Sequence, residues 1–304
     1  MKMAKVIRTQ WMIYVFILLI LISITMRPDN AGCREKIAVA IAEVNDQTGR
    51  SLSGTATDRL TKIFIRAGNM RVVERQIFDD LLNELGLQQQ DIFSAENAPR
   101  LGEMIGAGYL VSLSLSGAGY NKTVERHKDE EGNVYTTIKA TASINVSLRM
   151  IDIESGEISF STNKRGSVTD SAIHPSQPKP EHVLIDKALS KALDDIFHDL
   201  QEAFPTIGYV IKKEGNIIWI DIGTEWGVGK YRRVEFFREG EQIKHPITGE
   251  ILGGEIEVLA KGRVTDALPK ISKIKLSKKK ASKIKVGDST KVLPKVFYSG
   301  ITEE

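Results

Sequence analysis

Residues 137–150 read TIKATASINVSLRM, and the fold turns on them. Ile138, Ala140, Ala142, Ile144, Val146, Leu148 and Met150 share one parity. Thr137, Lys139, Thr141, Ser143, Asn145, Ser147 and Arg149 share the other. A strict period of two predicts a β-strand with one dry face and one wet face. A dry face needs a cover. EHVLIDKALSKALDDIFHDLQEAF (181–204) supplies a helix whose stripe is Ile185, Leu189, Ala192, Leu193, Ile196 and Leu200, with Pro205 just past its end.

Upstream, GYLVSLSLSG (108–117) alternates in the same way, with Val111, Leu113 and Leu115 against Ser112, Ser114 and Ser116. Between the two strands lies GYNKTVERHKDEEGNVY (119–135), which carries charge on both parities and the turn pair Gly132-Asn133. It reads as a hydrated hairpin tip. Downstream, DIESGEISFS is a tight hairpin onto a further strand. The stretch 160–182 is polar, holds prolines and shows no alternation, so 170–182 reads as a surface loop and the strand at 137–150 lacks a matching neighbour beyond the core.

The N-terminal part predicts a buried strand at KIAVAIAEV (36–44), a turn at NDQTGR, and a helix with Leu60, Ile63, Phe64 and Ala67 on one face, stopped at Gly68-Asn69. RVVER is a second strand. A helix follows with Ile77, Leu81, Leu82 and Leu85 on one face and Gly86 at its end, then a shorter helix with Ser94 as its N-cap. After Pro205 the texture changes to short strands and glycine turns, with HPITGEILGG as a hairpin turn. The expectation is an α/β (α+β) sheet-and-helix domain over 33–204, a small all-β domain over 206–296 and a loose tail at 297–304.

Residues 1–32 are of another kind. Lys2, Lys5 and Arg8 precede the apolar run WMIYVFILLILISITM (11–26), the layout of an export signal. These 32 residues carry four basic side chains and one acidic, so a chain starting at Cys33 has 38 of each sign and the net +3 belongs to the signal. That balance gives no reason to expect nucleic acid or an anionic surface as a partner. Cys33 is the single cysteine, so no internal disulfide forms. In NAGC, Ala31 and Gly32 suit a lipidated cysteine and Asn30 does not. A lipid tether at Cys33, a cleaved signal and an uncleaved anchor all stay open.

The motifs of catalysis are missing. His127, His174, His182, His198 and His245 lack metal-ligand spacing, GVGK (227–230) lacks the full phosphate loop, and no GxSxG occurs. Asp79/Asp80 and Asp194/Asp195 sit on polar helix sides, where solvated charge is the default. The expectation is no catalytic residue, no cofactor, no metal and no small-molecule substrate. KISKIKLSKKKASKIK (270–285) is the strong charge run. It reads first as a strand edge guarded by lysine or a charged hairpin tip, and otherwise as a contact for an anionic partner through Lys273, Lys275, Lys278, Lys279 and Lys280. No aromatic residue interleaves, which argues against single-stranded nucleic acid.

KIAVAIAEVNDQTGR, MRVVERQIFDDLLNELGLQQQ, IGAGYLVSLSLSG and VSLRMIDIESGEISFS together resemble the CsgG family, named for the curli secretion channel. The match runs from about 36 to 166, and the helix at 181–204 continues it. The resemblance implies a compact α/β domain similar to the N-terminal domain of TolB. GYVIKKEGNIIWIDIGTEWGVGKYRRVEFFREGEQIKHPITGEILG, with IKVGDSTKVLP, is similar to the C-terminal domain of the flagellar assembly protein FlgT.

The curli channel builds its barrel from hairpins of this domain, and each membrane strand needs an apolar outward face. Residues 119–135 and 160–182 have none, and DQTGRSLSGTATD lacks the aromatic residues of the channel's constriction. The resemblance therefore implies a non-enzymatic envelope protein that binds other envelope proteins, with ring formation inherited as an option. Its place is periplasmic or outer-membrane-associated, reached through lipid or an N-terminal anchor. The alternative is an oligomeric export channel.

Overall fold

A computed structural model describes residues 35–87, 97–249 and 251–294. Cys33, Ser94, the residues before 35 and the tail at 297–304 lie outside the described residues.

The first layer is a five-stranded sheet in the order β2-β1-β3-β4-β5. β1 (Ile37–Asp46) pairs in parallel with β2 (Met70–Val72) and β3 (Tyr109–Lys128), while β3, β4 (Val134–Asp152) and β5 (Ile158–Ile173) form an antiparallel meander. The alternation that predicts β4 is realised: Ala140, Ala142, Ile144, Val146, Leu148 and Met150 are all fully buried.

Helices α1 (Ser53–Ala67) and α4 (Glu181–Ala203) cover that dry face. Leu60, Ile63 and Phe64 of α1 and Leu189, Leu193 and Ile196 of α4 join Ile144, Val146 and Leu148 in one core. At about 25 cal/mol per Å² of apolar area, this shared burial is the main force holding the layers together. Helices α2 (Arg75–Leu85) and α3 (Asn97–Ile105) cover the start of the opposite face, where Ala40, Ala42 and Leu110 meet Phe78, Leu82 and Leu101. Phe78, 1% exposed, is the anchor of α2 and lies outside the stripe expected for it.

The second layer is a closed barrel in the order β10-β7-β6-β11-β8-β9. Its strands are β6 (Ile207–Glu214), β7 (Ile217–Ile220), β8 (Arg233–Lys244), β9 (Ile251–Ala267), β10 (Ser272–Lys275) and β11 (Ser289–Val292), with a short helix α5 (Lys278–Lys283) after β10. Val210, Ile220, Val234, Phe236, Val264 and Ile274 share its core, which Ala281 and Ile284 join from α5 and its end. The expected small all-β part is therefore a barrel.

Sheet and barrel meet through backbone. Gly68 ends α1 at φ 81°, and a Cβ there would lie 2.2 Å from the carbonyl carbon of Trp226. Only a residue without a side chain permits that approach. Asn69 Nδ2 donates to the Phe204 carbonyl at 2.7 Å and fixes the end of α4 beside it.

Four expectations need correction. β5 is a strand through Ile173, so the surface loop starts later than 170, and β4 has a partner on each side along nearly all its length. Its polar residues hid the strand because both its faces are partly wet there. The segment 119–135 is mostly ladder, with only 129–133 forming the turn. The lysine run guards no edge: β10 lies between β7 and β9, and 278–283 is helical. Ser277 caps that helix by accepting from the Lys280 N–H.

Candidate functional site

The sheet outgrows its helices. A bulge lies between Ser116 and Gly119, with Gly117 at φ 58°, and the cover ends just past it, where Leu184 and Ile185 of α4 pack with Tyr120, Ala140 and Ala142. From there β3, β4 and β5 run on as a three-stranded arm. Asp129 closes its tip by accepting from the backbone N–H and the side-chain amide of Asn133 at 2.7 and 3.0 Å. Those hydrogen bonds hold its carboxyl below the usual carboxylate range.

The register assigns the arm's two faces. Lys122, Val124, Arg126 and Lys128 share one with Val134, Thr136 and Ile138. Glu125 and His127 share the other with Tyr135, Thr137 and Lys139. Lys139 bonds Glu125 at 2.9 Å, and the His127 ring stacks on Tyr135 with centroids 5.2 Å apart. Both faces carry charge, so neither is an apolar band. A basic side chain on the lipid side near mid-bilayer costs about 2–4 kcal/mol.

Below the arm, the wet face of β3, β4 and β5 is a platform of short polar side chains. The pairing lines them up in rows: Ser114, Ser147 and Asn163, then Ser116, Asn145 and Arg165. Arg165 Nη2 donates to Ser143 Oγ at 3.2 Å, and the Thr141 and Thr169 hydroxyls bond at 2.9 Å. The helix packed on β4 and β5 is α4, on the far side. The platform offers hydroxyl and amide groups to a flat partner. Its pairs join no nucleophile to a base.

One cleft of about 550 Å³ opens at the start of β3, between Glu103, Gly108, Tyr109, Asp152 and Glu154. Burial, with the carboxylate of Asp152 beside it, pushes the Tyr109 hydroxyl above its ordinary range. Among the described residues no three His, Cys, Asp or Glu side chains gather to hold a metal ion. Burial pushes the Asp194 carboxyl up, outweighing the nearby Arg66, whose guanidinium it meets at 3.6 Å.

The five lysines singled out in the sequence lie on two successive elements, β10 and α5. Lys273 is on the barrel wall with its ammonium 4.4 Å from the Trp219 ring, and Lys275 follows it on β10. Lys278, Lys279 and Lys280 are exposed on α5, where Lys280 Nζ donates to the Lys261 carbonyl at 3.3 Å.

Sequence reasoning missed a segregation of charge. Residues 33–205 hold 19 basic and 25 acidic side chains, whereas 206–294 hold 18 basic and 11 acidic. The whole-chain balance conceals this; a count for each domain finds it. It also missed the β8–β9 arm, which projects from the barrel with Ile243, Ile251, Leu252 and Ile256 between 56% and 61% exposed. Among the described residues, no helix is long and apolar enough to cross a membrane, which says nothing of crossing by strands.

Residues 20–176, just over half of the chain, match the family described as curli production assembly/transport component CsgG. Among solved structures, the LpoB C-terminal domain from Salmonella enterica is 22% identical, with 49% of this chain and 92% of that chain covered and a TM-score of 0.31. Lipoprotein GNA1162 from Neisseria meningitidis is 10% identical, with 53% and 97% covered and a TM-score of 0.32. The PelC dodecamer from Paraburkholderia phytofirmans is 14% identical, with 54% and 88% covered and a TM-score of 0.26. At these TM-scores the likenesses carry nothing further. No curated protein matches the chain.

Proposed function

Because the chain belongs to the CsgG family, we propose that it is a non-enzymatic scaffold of the bacterial cell envelope, exported by its N-terminal segment and tethered to the membrane through Cys33. Its partners are other envelope proteins and further copies of itself. The barrel, in its resemblance to the FlgT C-terminal domain, is a second binding module.

One observation carries the choice of scaffold over channel: both faces of the β3–β4–β5 arm bear charge, Lys122, Arg126 and Lys128 on one and Glu125 and Lys139 on the other. Such an arm is suited to water or to a polar partner. The platform of serine, threonine and asparagine below it adds a surface for a second protein.

The test is fractionation of a diderm host expressing the full chain, beside Cys33→Ala, with the intact mass of the mature form. Acylated membrane-bound protein that becomes periplasmic in the variant supports the tethered scaffold. A Cys33→Ala protein that stays in the membrane with its signal removed overturns it.

A second reading has its own support. The arm is a paired ladder that outruns the helix-covered sheet, as channel hairpins of this family do. Ion conductance of the purified oligomer in planar bilayers would favour that reading, and silence would favour the first.

A further inference from the structure

We propose that the acidic β8–β9 arm of one copy docks on the basic end of the barrel of a second copy. The proposal names a contact for the oligomer of the preceding reading and rests on that part of it alone.

Two features at one end of the barrel carry it. Residues 239–257 contain five glutamates and one lysine, and residues 275–287 contain six lysines and no acidic residue. Arg238 places them together, because it pairs with Glu257 at the root of the arm and donates to the Lys283 carbonyl at 3.2 Å. The opposite end of the barrel, around Trp226, is taken up by Gly68.

Within one copy these charges stay apart. Glu239, Glu241 and Glu255 meet no cation, and Lys275, Lys279 and Lys283 meet no carboxylate, among the described residues. An arm of this kind also needs company. β11 pairs with β8 only as far as Phe237, and β10 pairs with β9 only from Val264, so the arm is a two-stranded ribbon with two free edges. Two-stranded ribbons are marginal in water, and clustered exposed aliphatic residues mark contact surfaces.

The receiving surface has an apolar centre to match. Tyr209 and Ile211 point outward from β6 at 46% and 45% exposure, and Val286 is 62% exposed. The Gly287 N–H donates to the Val210 carbonyl and the Val210 N–H to the Asp288 carbonyl, which sets the Val286 loop against that part of β6. Lys283 and Lys285 flank it. An aliphatic ribbon edged with carboxylates thus faces an apolar strip edged with ammonium groups, the arrangement that fixes register between partners. Because the two surfaces differ, the contact either runs head-to-tail, as a ring or a filament, or is made twice across a two-fold axis. An anionic lipid surface suits the lysines and repels the five glutamates, so a second copy is the better occupant.

The experiment uses the full chain in mild detergent, in a Cys33→Ala background. Leu252→Cys protein and Val286→Cys protein, differently tagged, are mixed and oxidised. A cross-link between the two tags is expected, with neither variant cross-linking to itself. Adding Glu239→Lys, Glu241→Lys and Glu255→Lys to the first should cut the yield on the order of tenfold. Adding Lys278→Glu, Lys279→Glu and Lys283→Glu to the second as well should restore it. If the reversed chains fail to fold, raising salt on the unreversed pair gives the same reading, with a loss expected. Oligomeric mass by light scattering without this cross-link overturns the contact and leaves the oligomer standing. A monomer overturns both. A monomer that binds anionic vesicles through its lysines assigns the basic end to lipid instead.

Discussion

Arg238 grips Asp288 with two hydrogen bonds of 2.8 Å, from Nε to Oδ1 and from Nη2 to Oδ2. The Asp288 side chain is 5% exposed, and its Oδ2 also accepts from the Lys285 N–H. A planar guanidinium and a carboxylate fit in this way as a fork, with direction as well as charge. The pair ties the root of the β8–β9 arm to the loop that follows α5. Asp288→Asn keeps the shape and removes the negative charge of the fork. The expected result is faster amide exchange over 239–257, on the order of tenfold, with the exchange of β4 unchanged. Equal acceleration in β4 would mean that the pair supports the whole fold instead.

Gly166 lets α4 lie on β5. A Cβ there would sit 1.8 Å from the Ala188 carbonyl oxygen and 3.0 Å from the Ala192 nitrogen, both backbone atoms that cannot swing aside. Gly166→Ala should therefore destabilise the chain by about 1–3 kcal/mol, the usual range for overpacking, although alanine favours most backbones. Urea unfolding followed by circular dichroism measures it. An unchanged midpoint would show that α4 shifts freely on the sheet.

Arg232 is a buried cation whose Nε has no hydrogen-bond partner among the described residues, and it is 9% exposed. Burial, with Arg233 and Arg66 nearby, lowers its pKa to about 10. A basic group whose pKa falls on folding destabilises the folded state at neutral pH. That penalty shrinks as pH rises past about 10 toward the unfolded value. Arg232→Met keeps an apolar stem and removes the charge, so it should raise stability at pH 7, within the roughly 1–4 kcal/mol seen when buried charges give way to apolar side chains. A lower midpoint in urea would show that the guanidinium has a stabilising role.

These sites differ in how far the sequence foretells them. β4 and α4 are legible because each buries one face, so burial writes a period of two or of 3.6 into the residues. Phe78 escapes because the leucines of α2 dominate its pattern. β5 escapes because its outer half is polar on both sides, and its strand state comes from pairing with β4 rather than from a pattern of its own. α5 escapes because KKKASK has no apolar stripe; Ser277 at its start and the burial of Ala281 against the barrel make it a helix. The closure of the barrel rests on pairings such as β6 with β11, whose partners lie far apart in the chain. The sequence shows that the arm is charged but not that it is a ladder, since charge on both faces forbids burial in lipid without forbidding strand pairing. The two surfaces at the barrel end are hidden by opposite charges that cancel in a whole-chain sum.

Asp46 provides a test through pH. It caps the turn between β1 and α1, where its Oδ1 accepts from the N–H and hydroxyl of Thr48 and its Oδ2 from the Leu52 N–H. Burial alone would push its carboxyl up, but these hydrogen bonds together outweigh burial and hold it below the ordinary carboxylate range. A carboxyl whose pKa falls on folding favours the folded state once ionised. The contribution is whole above the unfolded value, about 3.9, and is lost as pH falls through the lower folded value. Asp46→Asn should therefore cost about 1–2 kcal/mol at pH 7, the scale of a charge-assisted hydrogen bond to a half-buried N–H. The gap to the unsubstituted chain should narrow as pH drops from about 4 toward 2, because a protonated Asp46 and the amide that replaces it no longer differ in charge. Both chains share every other acid, so the narrowing reports this carboxyl alone. Urea midpoints for the two chains across that range decide it. A gap that stays constant would place the role of Asp46 in shape rather than charge.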